Sequence, residues 1–89
     1  MLLPIYQKQF EKDLKIIQKR AKNIDKLKII IKLLLNEITL PIKNRNHKLK
    51  GEFKDYWECH VEPDWLLIYK ITKTEVIFVR TGTHADLFE

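Results

Sequence analysis

Residues 57–71 carry the sequence WECHVEPDWLLIYKI, in which two strand patterns follow one another. Apolar and polar side chains alternate over residues 57–62, and this period of two predicts a strand with one buried face. The Pro63-Asp64 pair then predicts a turn. Residues 65–71 contain almost no polar side chain, so we expect a central strand that is buried on both faces.

Two more strands are expected around this pair. Residues 76–80, with the sequence VIFVR, follow a short turn, and short turns between successive strands predict antiparallel neighbours. At the start of the chain, the short apolar segment of residues 1–6 is a candidate edge strand. Pro4 counts against that assignment, because proline has no N–H to donate to a strand ladder.

Two helices are predicted between these strands, from apolar residues that recur at helical spacing. The first stripe consists of Phe10, Leu14, Ile17 and Ala21. The second consists of Ile24, Leu27, Ile31, Leu34, Leu35 and Ile38. A break at Lys22-Asn23 separates the helices, and Pro41 is expected to end the second one. The predicted fold class is therefore α+β: a two-helix antiparallel hairpin packed on a small, mainly antiparallel sheet.

The composition fits one folded domain spanning residues 1–89, because 45% of the 89 residues are hydrophobic and 33% are charged. No apolar stretch approaches the roughly 20 residues that cross a bilayer, so no membrane association is expected. The opening segment also lacks the basic region of a signal peptide. Cys59 is the single cysteine, so no internal disulfide is possible, and the reducing cytoplasm is the expected location.

Charge is distributed unevenly along the chain. Lysine and arginine number 17 against 12 acidic residues, for a net charge of +5. Residues 1–54 hold 14 basic and 5 acidic side chains, whereas residues 55–89 hold 3 basic and 7 acidic ones. A basic surface of this size suits a phosphate backbone, although helical lysines often serve only to solubilise a helix. The run at residues 43–50 has too few apolar residues to be the outer side of a helix, so it is the stronger candidate for nucleic-acid binding.

Histidine is the side chain that exchanges protons most readily near neutral pH. The three histidines of the chain are His47, His60 and His84. By strand alternation, His60 shares a face with Glu58, and Arg80 shares a face with Val76 and Phe78. Whether the two sets converge depends on the strand register, which the sequence does not fix.

Converging histidines and a cation would suit cleavage of RNA without a metal. One group would take the proton of the 2′-hydroxyl, a fixed cation would stabilise the charged phosphorane, and another group would protonate the leaving 5′-oxygen. The histidine spacing matches no zinc motif, so no metal site is expected. Cys59 alternates in phase with core residues, which argues against a nucleophile. The two glycines, Gly51 and Gly82, do not form a phosphate-binding loop, so ATP or GTP chemistry is not expected.

Three runs of the sequence resemble the YafQ family of toxins, within the RelE/ParE superfamily of bacterial type II toxin–antitoxin modules. They are residues 47–51 (HKLKG), 59–70 (CHVEPDWLLIYK) and 80–88 (RTGTHADLF). The resemblance extends over essentially the whole chain, including its length and the order of its elements. It implies a RelE-like fold and an endoribonuclease, an mRNA interferase, that cleaves mRNA in the ribosomal A site without a metal or other cofactor.

The resemblance also implies a set of catalytic residues. His84 is the expected general acid on the leaving 5′-oxygen, and His47 is the expected general base on the 2′-hydroxyl. His60 and Asp64 are the alternative proton-accepting pair. Arg80 is expected to hold the scissile phosphate, because a guanidinium binds phosphate in a bidentate manner.

Further residues are expected to bind RNA. Trp65 and Phe88 correspond to family positions and could stack on bases or position them, although core packing is the alternative for Trp65. The basic candidates are Lys43, Arg45, Lys48 and Lys50. The basic N-terminal portion as a whole would then contact ribosomal RNA.

The resemblance implies partners as well: a cognate antitoxin of the DinJ or RelB type, bound in a hetero-oligomer, and the ribosome with its mRNA. We expect the antitoxin to cover the basic surface with an acidic or amphipathic segment that orders on binding. Two alternatives come from other classes of protein. A ParE-like gyrase inhibitor generally lacks this histidine set, and a non-catalytic nucleic-acid-binding module leaves Asp64, Arg80 and His84 without a purpose.

Overall fold

The computed structural model describes residues 1–88. The sheet consists of β1 (Leu3–Tyr6), β2 (His47–Lys48), β3 (Trp57–Glu62), β4 (Trp65–Ile71) and β5 (Glu75–Gly82). The helices are α1 (Lys8–Lys19), α2 (Ile24–Leu35) and α3 (His84–Phe88), with short 3₁₀ turns at Ile42–Asn44 and Gly51–Phe53. No helix among these residues is long and apolar enough to cross a membrane.

The strands lie in the order β1-β5-β4-β3-β2. The antiparallel pairing of β3, β4 and β5 confirms the prediction from their short turns, and β1 pairs with β5 in parallel. The segment that contains Pro4 is therefore an edge strand. The backbone N–H of Leu3 donates to the carbonyl oxygen of Thr74. Successive backbone N–H groups of a strand point in opposite directions, so the nitrogen of Pro4 faces away from β5 and needs no hydrogen to donate.

Both helices place apolar side chains on one face of the sheet. Fully or nearly fully buried residues come from α1 (Phe10 and Ile17), from α2 (Leu27, Ile30 and Leu34) and from the strands (Cys59, Leu67, Tyr69 and Phe78). The central strand β4 is buried from Trp65 to Tyr69, as its apolar sequence predicts. The α+β prediction, with two helices covering a mainly antiparallel sheet, is thus confirmed.

The prediction that α2 extends to Pro41 is wrong, because the helix ends at Leu35. Glu37 adopts a left-handed conformation with φ 57°, and the N–H of Ile38 donates to the carbonyl of Leu33 at 3.0 Å. This hydrogen-bond pattern ends a helix and usually contains glycine at the left-handed position. Here that position is Glu37, so the sequence carries no glycine to mark the helix end. Ile38 lies beyond the helix and is exposed.

The sheet face opposite the helices, called the open face below, carries the polar residues. A bulge interrupts the pairing between β4 and β5, where Ile68 pairs with Arg80 but Tyr69 pairs with Phe78. Ile68 and Tyr69 are consecutive and point to opposite faces, so Arg80 lies on the open face while Phe78 lies in the core. The expectation from simple alternation that Arg80 and Phe78 share a face is therefore wrong.

Candidate active site

The strand register aligns four residues in one row across the open face. His47 pairs with Glu58, Glu58 with Ile68, and Ile68 with Arg80. The neighbouring row begins with His60. Of the two candidate sets, Glu58 and His60 of β3 thus share a face with Arg80 of β5, whereas Val76 and Phe78 lie in the core.

Glu58 lies between two histidines. Its Oε1 is 3.5 Å from Nε2 of His47 and 3.9 Å from Nε2 of His60, and its side chain is only 8% exposed. A carboxylate at this distance stabilises an imidazolium electrostatically, and water screens this attraction less at the nearly buried His60 than at His47, whose side chain is 49% exposed. Glu58 was not among the predicted site residues, although its alternation in phase with His60 is a signal that could have identified it.

Both histidines near Glu58 have one ring nitrogen occupied by a backbone carbonyl. Nδ1 of His47 lies 2.7 Å from the carbonyl oxygen of Arg45, and Nδ1 of His60 lies 3.1 Å from that of Pro63. A carbonyl only accepts, so Nδ1 carries the proton in each ring. In the neutral form Nε2 is then an acceptor, which is the state that a general base requires.

His84 stands at the first position of α3 and is held by Asp64. Oδ1 of Asp64 accepts from the backbone N–H of His84 at 3.0 Å and from its Nδ1 at 2.5 Å. These hydrogen bonds, the backbone one first, lower the pKa of Asp64 below its usual value. Asp64 therefore pairs with His84 and not with His60, which corrects the expected His60–Asp64 pair. The His60 and His84 rings are nevertheless close, with centroids 5.9 Å apart.

Arg80 is oriented by Asp13 of α1. The guanidinium donates through Nε to Asp13 Oδ2 at 2.7 Å and through Nη2 to Oδ1 at 3.2 Å. The same carboxylate accepts from the backbone N–H of Thr81 and from the side chain of Gln9. The hydrogen bond that Arg80 donates to Asp13 raises the pKa of Arg80 above its usual value. Nothing in the sequence indicates this role, because Asp13 is one of two acidic residues, with Glu11, in a lysine-rich amphipathic helix.

The two aromatic candidates have different environments. Trp65 is fully buried, and its indole N–H donates to Thr81 Oγ1 at 2.9 Å. Stacking needs an accessible ring face, so Trp65 cannot stack on RNA bases in this structure. It packs in the hydrophobic core, which was the alternative expectation. Phe88 is 48% exposed at the end of α3, four residues after His84, where its ring is accessible to a ligand.

The chain that carries these histidines and Arg80 is similar in sequence to known proteins. Residues 3–89 match the model of a family described as the bacterial toxin of type II toxin–antitoxin system, YafQ. The chain is 50% identical over 84 residues to the mRNA interferase toxin YafQ of Escherichia coli strain K12, covering 93% of this chain and 91% of the relative.

The chain belongs to the YafQ toxin family.

Solved structures of family relatives show the same fold. The structure of the E. coli DinJ–YafQ toxin–antitoxin complex matches with a TM-score of 0.92 at 47% identity, covering 99% of this chain and 98% of the other. A metal-bound toxin from Helicobacter pylori matches with a TM-score of 0.93 at 41% identity, covering 99% of this chain and all of the other. Both likenesses confirm the RelE-like fold expected from the sequence motifs.

The basic candidates of this YafQ family member occupy two different places, and only Lys43 and Arg45 lie beside His60. Lys43 and Arg45 line a groove of about 580 Å³ that runs from α2 to His60. Asn44 between them is buried and donates to the carbonyl of His60 at 2.7 Å, which ties this loop to β3. Lys48 and Lys50 are exposed. Lys48 pairs with Trp57, which packs against the core, so Lys48 lies on the opposite face of the sheet from His47, with its Nζ 5.6 Å from the centre of the Trp57 ring.

Two further features of the site concern possible metal ligands and the single thiol. Within residues 1–88, no three His, Cys, Asp or Glu side chains are grouped as metal ligands. Cys59 is fully buried, and burial raises the pKa of its thiol to about 12. The site can therefore supply proton transfer through imidazoles and charge stabilisation through one fixed guanidinium.

Proposed function

We propose that this chain is the toxin of a type II toxin–antitoxin module and cleaves mRNA on the ribosome. The observation that carries the proposal is the arrangement of three histidines around one row that ends in Arg80, in a member of the YafQ family. The E. coli relative named an mRNA interferase toxin is half identical in sequence over nearly its full length. Acid, base and fixed cation are the three parts that metal-independent RNA cleavage requires.

The reaction would begin with attack of a 2′-hydroxyl oxygen on the adjacent phosphorus. His47 accepts the hydroxyl proton at Nε2, and His60 is the alternative acceptor, since both rings have Nδ1 bound to a carbonyl. The Glu58 carboxylate stabilises the imidazolium that forms. The bond from phosphorus to the 5′-oxygen then breaks, leaving a cyclic phosphate on one fragment and a 5′-hydroxyl on the other.

His84 and Arg80 would act on the charges that develop in this reaction. His84, oriented by Asp64 through Nδ1, gives the proton on Nε2 to the leaving 5′-oxygen. Arg80 stabilises the negative charge on the phosphorane oxygens through the guanidinium N–H groups that Asp13 does not occupy. Phe88 is placed to contact a base near the cut, because it follows His84 by one helical turn.

The partners would be the ribosome with its mRNA and a cognate antitoxin. The E. coli relative has been solved as a DinJ–YafQ complex, which supports an antitoxin of that type in a hetero-oligomer. The groove lined by Lys43 and Arg45 has an apolar floor that includes Ile30 and Leu33, and an amphipathic acidic segment would complement it. Such a toxin would act in the cytoplasm, where ribosomes translate.

Primer extension on an mRNA translated by purified ribosomes tests the proposal. We expect discrete cuts with the intact chain and about a 100-fold slower reaction with His84→Ala, the usual loss for a general acid. Lys73→Gln, an exposed substitution in the turn before β5, is the control and should cut normally.

The test distinguishes three outcomes. Cuts that persist with a chelator, at a magnesium level that keeps ribosomes intact, would match the metal-independent mechanism. Full activity of His84→Ala would remove that residue from the mechanism. Absence of cleavage by a folded chain, with stabilised gyrase–DNA complexes instead, would replace the interferase proposal with gyrase inhibition.

A further inference from the structure

An aromatic pair lies on the open face next to the row that ends in Arg80. Trp57 pairs with Tyr69 on the helix-covered face, so alternation directs the preceding residue, Tyr56, to the open face, where Nζ of Lys70 lies near its ring. The carbonyl of Tyr56 accepts from the N–H of Leu49 at 2.9 Å, which keeps it in the strand ladder.

Two neighbours frame the Tyr56 ring. The ring of Phe53 lies 6.3 Å away between centroids at an interplanar angle of 58°, and Nζ of Lys70 lies 5.8 Å from the Tyr56 ring centre. Phe53 is 45% exposed, and neither aromatic ring belongs to the buried core. Two aromatic rings that the core does not use, together with a cation, form a surface that favours a flat, electron-rich or anionic ligand.

The pair is close to the expected position of the scissile phosphate. Tyr56 is two residues before Glu58 in the same extended segment, and two residues of a strand span about 7 Å. Glu58 belongs to the row of His47 and Arg80. His47 lies one strand from Glu58, so its backbone is about 8 Å from that of Tyr56, whereas Arg80 lies two strands from Glu58 on the other side, about 12 Å from Tyr56. A nucleotide on the His47 side of the scissile phosphate could therefore reach the Tyr56 ring along the sheet surface.

We propose that Phe53 and Tyr56 form a stacking platform for an unpaired base of the mRNA next to the cleaved bond, with Lys70 facing the adjoining phosphate. The proposal rests on the interferase function above and adds a subsite to it. Single-stranded RNA is typically bound by aromatic faces combined with cations, because every base has a π-face and every nucleotide a negative charge. A platform beside the cut would influence which codons are cleaved.

The test compares variants in the ribosome-dependent cleavage assay. Tyr56→Leu and Phe53→Leu remove a ring and keep an apolar side chain, and each should slow cleavage by about tenfold or more. The base preference at one fixed position beside the cuts should weaken in both variants. Tyr56→Phe keeps the ring and should retain the activity and the preference of the intact chain. Ile16→Ala, at an exposed apolar residue of α1, is the matched control.

The outcomes separate this proposal from the proposed function. No cleavage by the intact chain would count against the interferase function itself. Normal cleavage by the intact chain and by both leucine variants would overturn the platform while leaving that function in place. If Tyr56→Phe slowed cleavage as much as Tyr56→Leu, the hydroxyl and not the ring would be responsible, and the stacking proposal would be overturned. Normal cleavage with weakened antitoxin binding would make the pair a protein-docking surface. Thermal melts show whether each variant folds. Phe53 is 45% exposed, so Phe53→Leu should fold and can test the platform even if Tyr56→Leu misfolds.

Discussion

Asp13 is the residue whose role is clearest from its contacts. It accepts two hydrogen bonds from Arg80 and one from the backbone of Thr81, although its side chain is only 5% exposed. A buried carboxylate is stable only with such partners, and the guanidinium in turn loses much of its freedom. Asp13 therefore fixes the guanidinium of Arg80, and in the proposed mechanism it is a positioning residue.

We expect Asp13→Asn to slow cleavage by about 10- to 100-fold, because the amide turns an N–H group toward Arg80 and misplaces the guanidinium. Single-turnover cleavage measures the effect. A double-mutant cycle identifies its route: Asp13→Asn should add little to the loss already caused by Arg80→Ala. Independent, multiplicative losses would show that Asp13 does not act through Arg80.

The site shows how far single residues can be predicted from sequence. The histidines, Asp64 and Arg80 were identified because short motifs carry them, and the resemblance supplied their grouping. Their pairing could not be predicted, since it depends on side chains that meet only after folding: Asp64 with His84, and Asp13 with Arg80. A buried tryptophan and a base-stacking one also look alike in sequence.

The short helix α3 depends on a few contacts around Asp86. Its carboxylate binds Arg20 of the α1 end at 2.6 and 3.0 Å and accepts from the N–H of Thr83 at 2.9 Å, while Thr83 Oγ1 accepts from the N–H of Asp86. Gly82 permits this approach, since a Cβ there would lie 2.9 Å from Cβ of Asp86. These contacts fix the start of α3 and with it His84.

Asp86→Asn should lower the melting temperature by about 5 °C at pH 7, the effect of losing about 1 kcal/mol of capping energy in a domain of this size. The Arg20 hydrogen bond lowers the pKa of Asp86 well below its usual value. The stabilisation is therefore complete above the unfolded pKa, near 4, and disappears as the pH falls through the lower folded value. Melting curves of both proteins from pH 7 to pH 2 measure the difference, which should shrink on acidification. A difference that stays constant over this range would contradict the assignment.

Elements were more predictable than their ends and faces. Periodicity identified α1, α2 and three strands, because burial imposes 3.6- and two-residue repeats on any sequence. It failed at the end of α2, where Glu37 takes the conformation usual for glycine, and at the bulge that moves Arg80 to the open face. A bulge adds one residue to one strand only, so it is visible in the pairing of two strands and in neither sequence alone.

The basic and acidic parts of the chain form different elements of the fold. Both lysine-rich helices belong to the basic part of the chain, whereas β4, β5 and α3 belong to the acidic part. Lys22 and Lys26 are paired with Glu62, whereas the exposed lysines of α1, together with Lys28 and Lys32 of α2, are candidates for contact with ribosomal RNA. An RNA contact made by such lysines releases counterions and weakens as salt increases.

Binding to ribosomes should therefore weaken by about 10- to 100-fold between 50 and 200 mM salt, the range expected for three or four phosphate contacts. Co-sedimentation of the His84→Ala chain with ribosomes at constant magnesium measures this, because the inactive chain leaves the mRNA intact. Lys12→Gln and Lys15→Gln on α1 should each reduce the slope of log affinity against log salt by about one. Lys73→Gln, an exposed change in the acidic part of the chain, should leave the slope unchanged. Equal slopes for all three variants would mean that α1 faces away from the ribosome, and the basic charge of α1 would then serve solubility or the antitoxin.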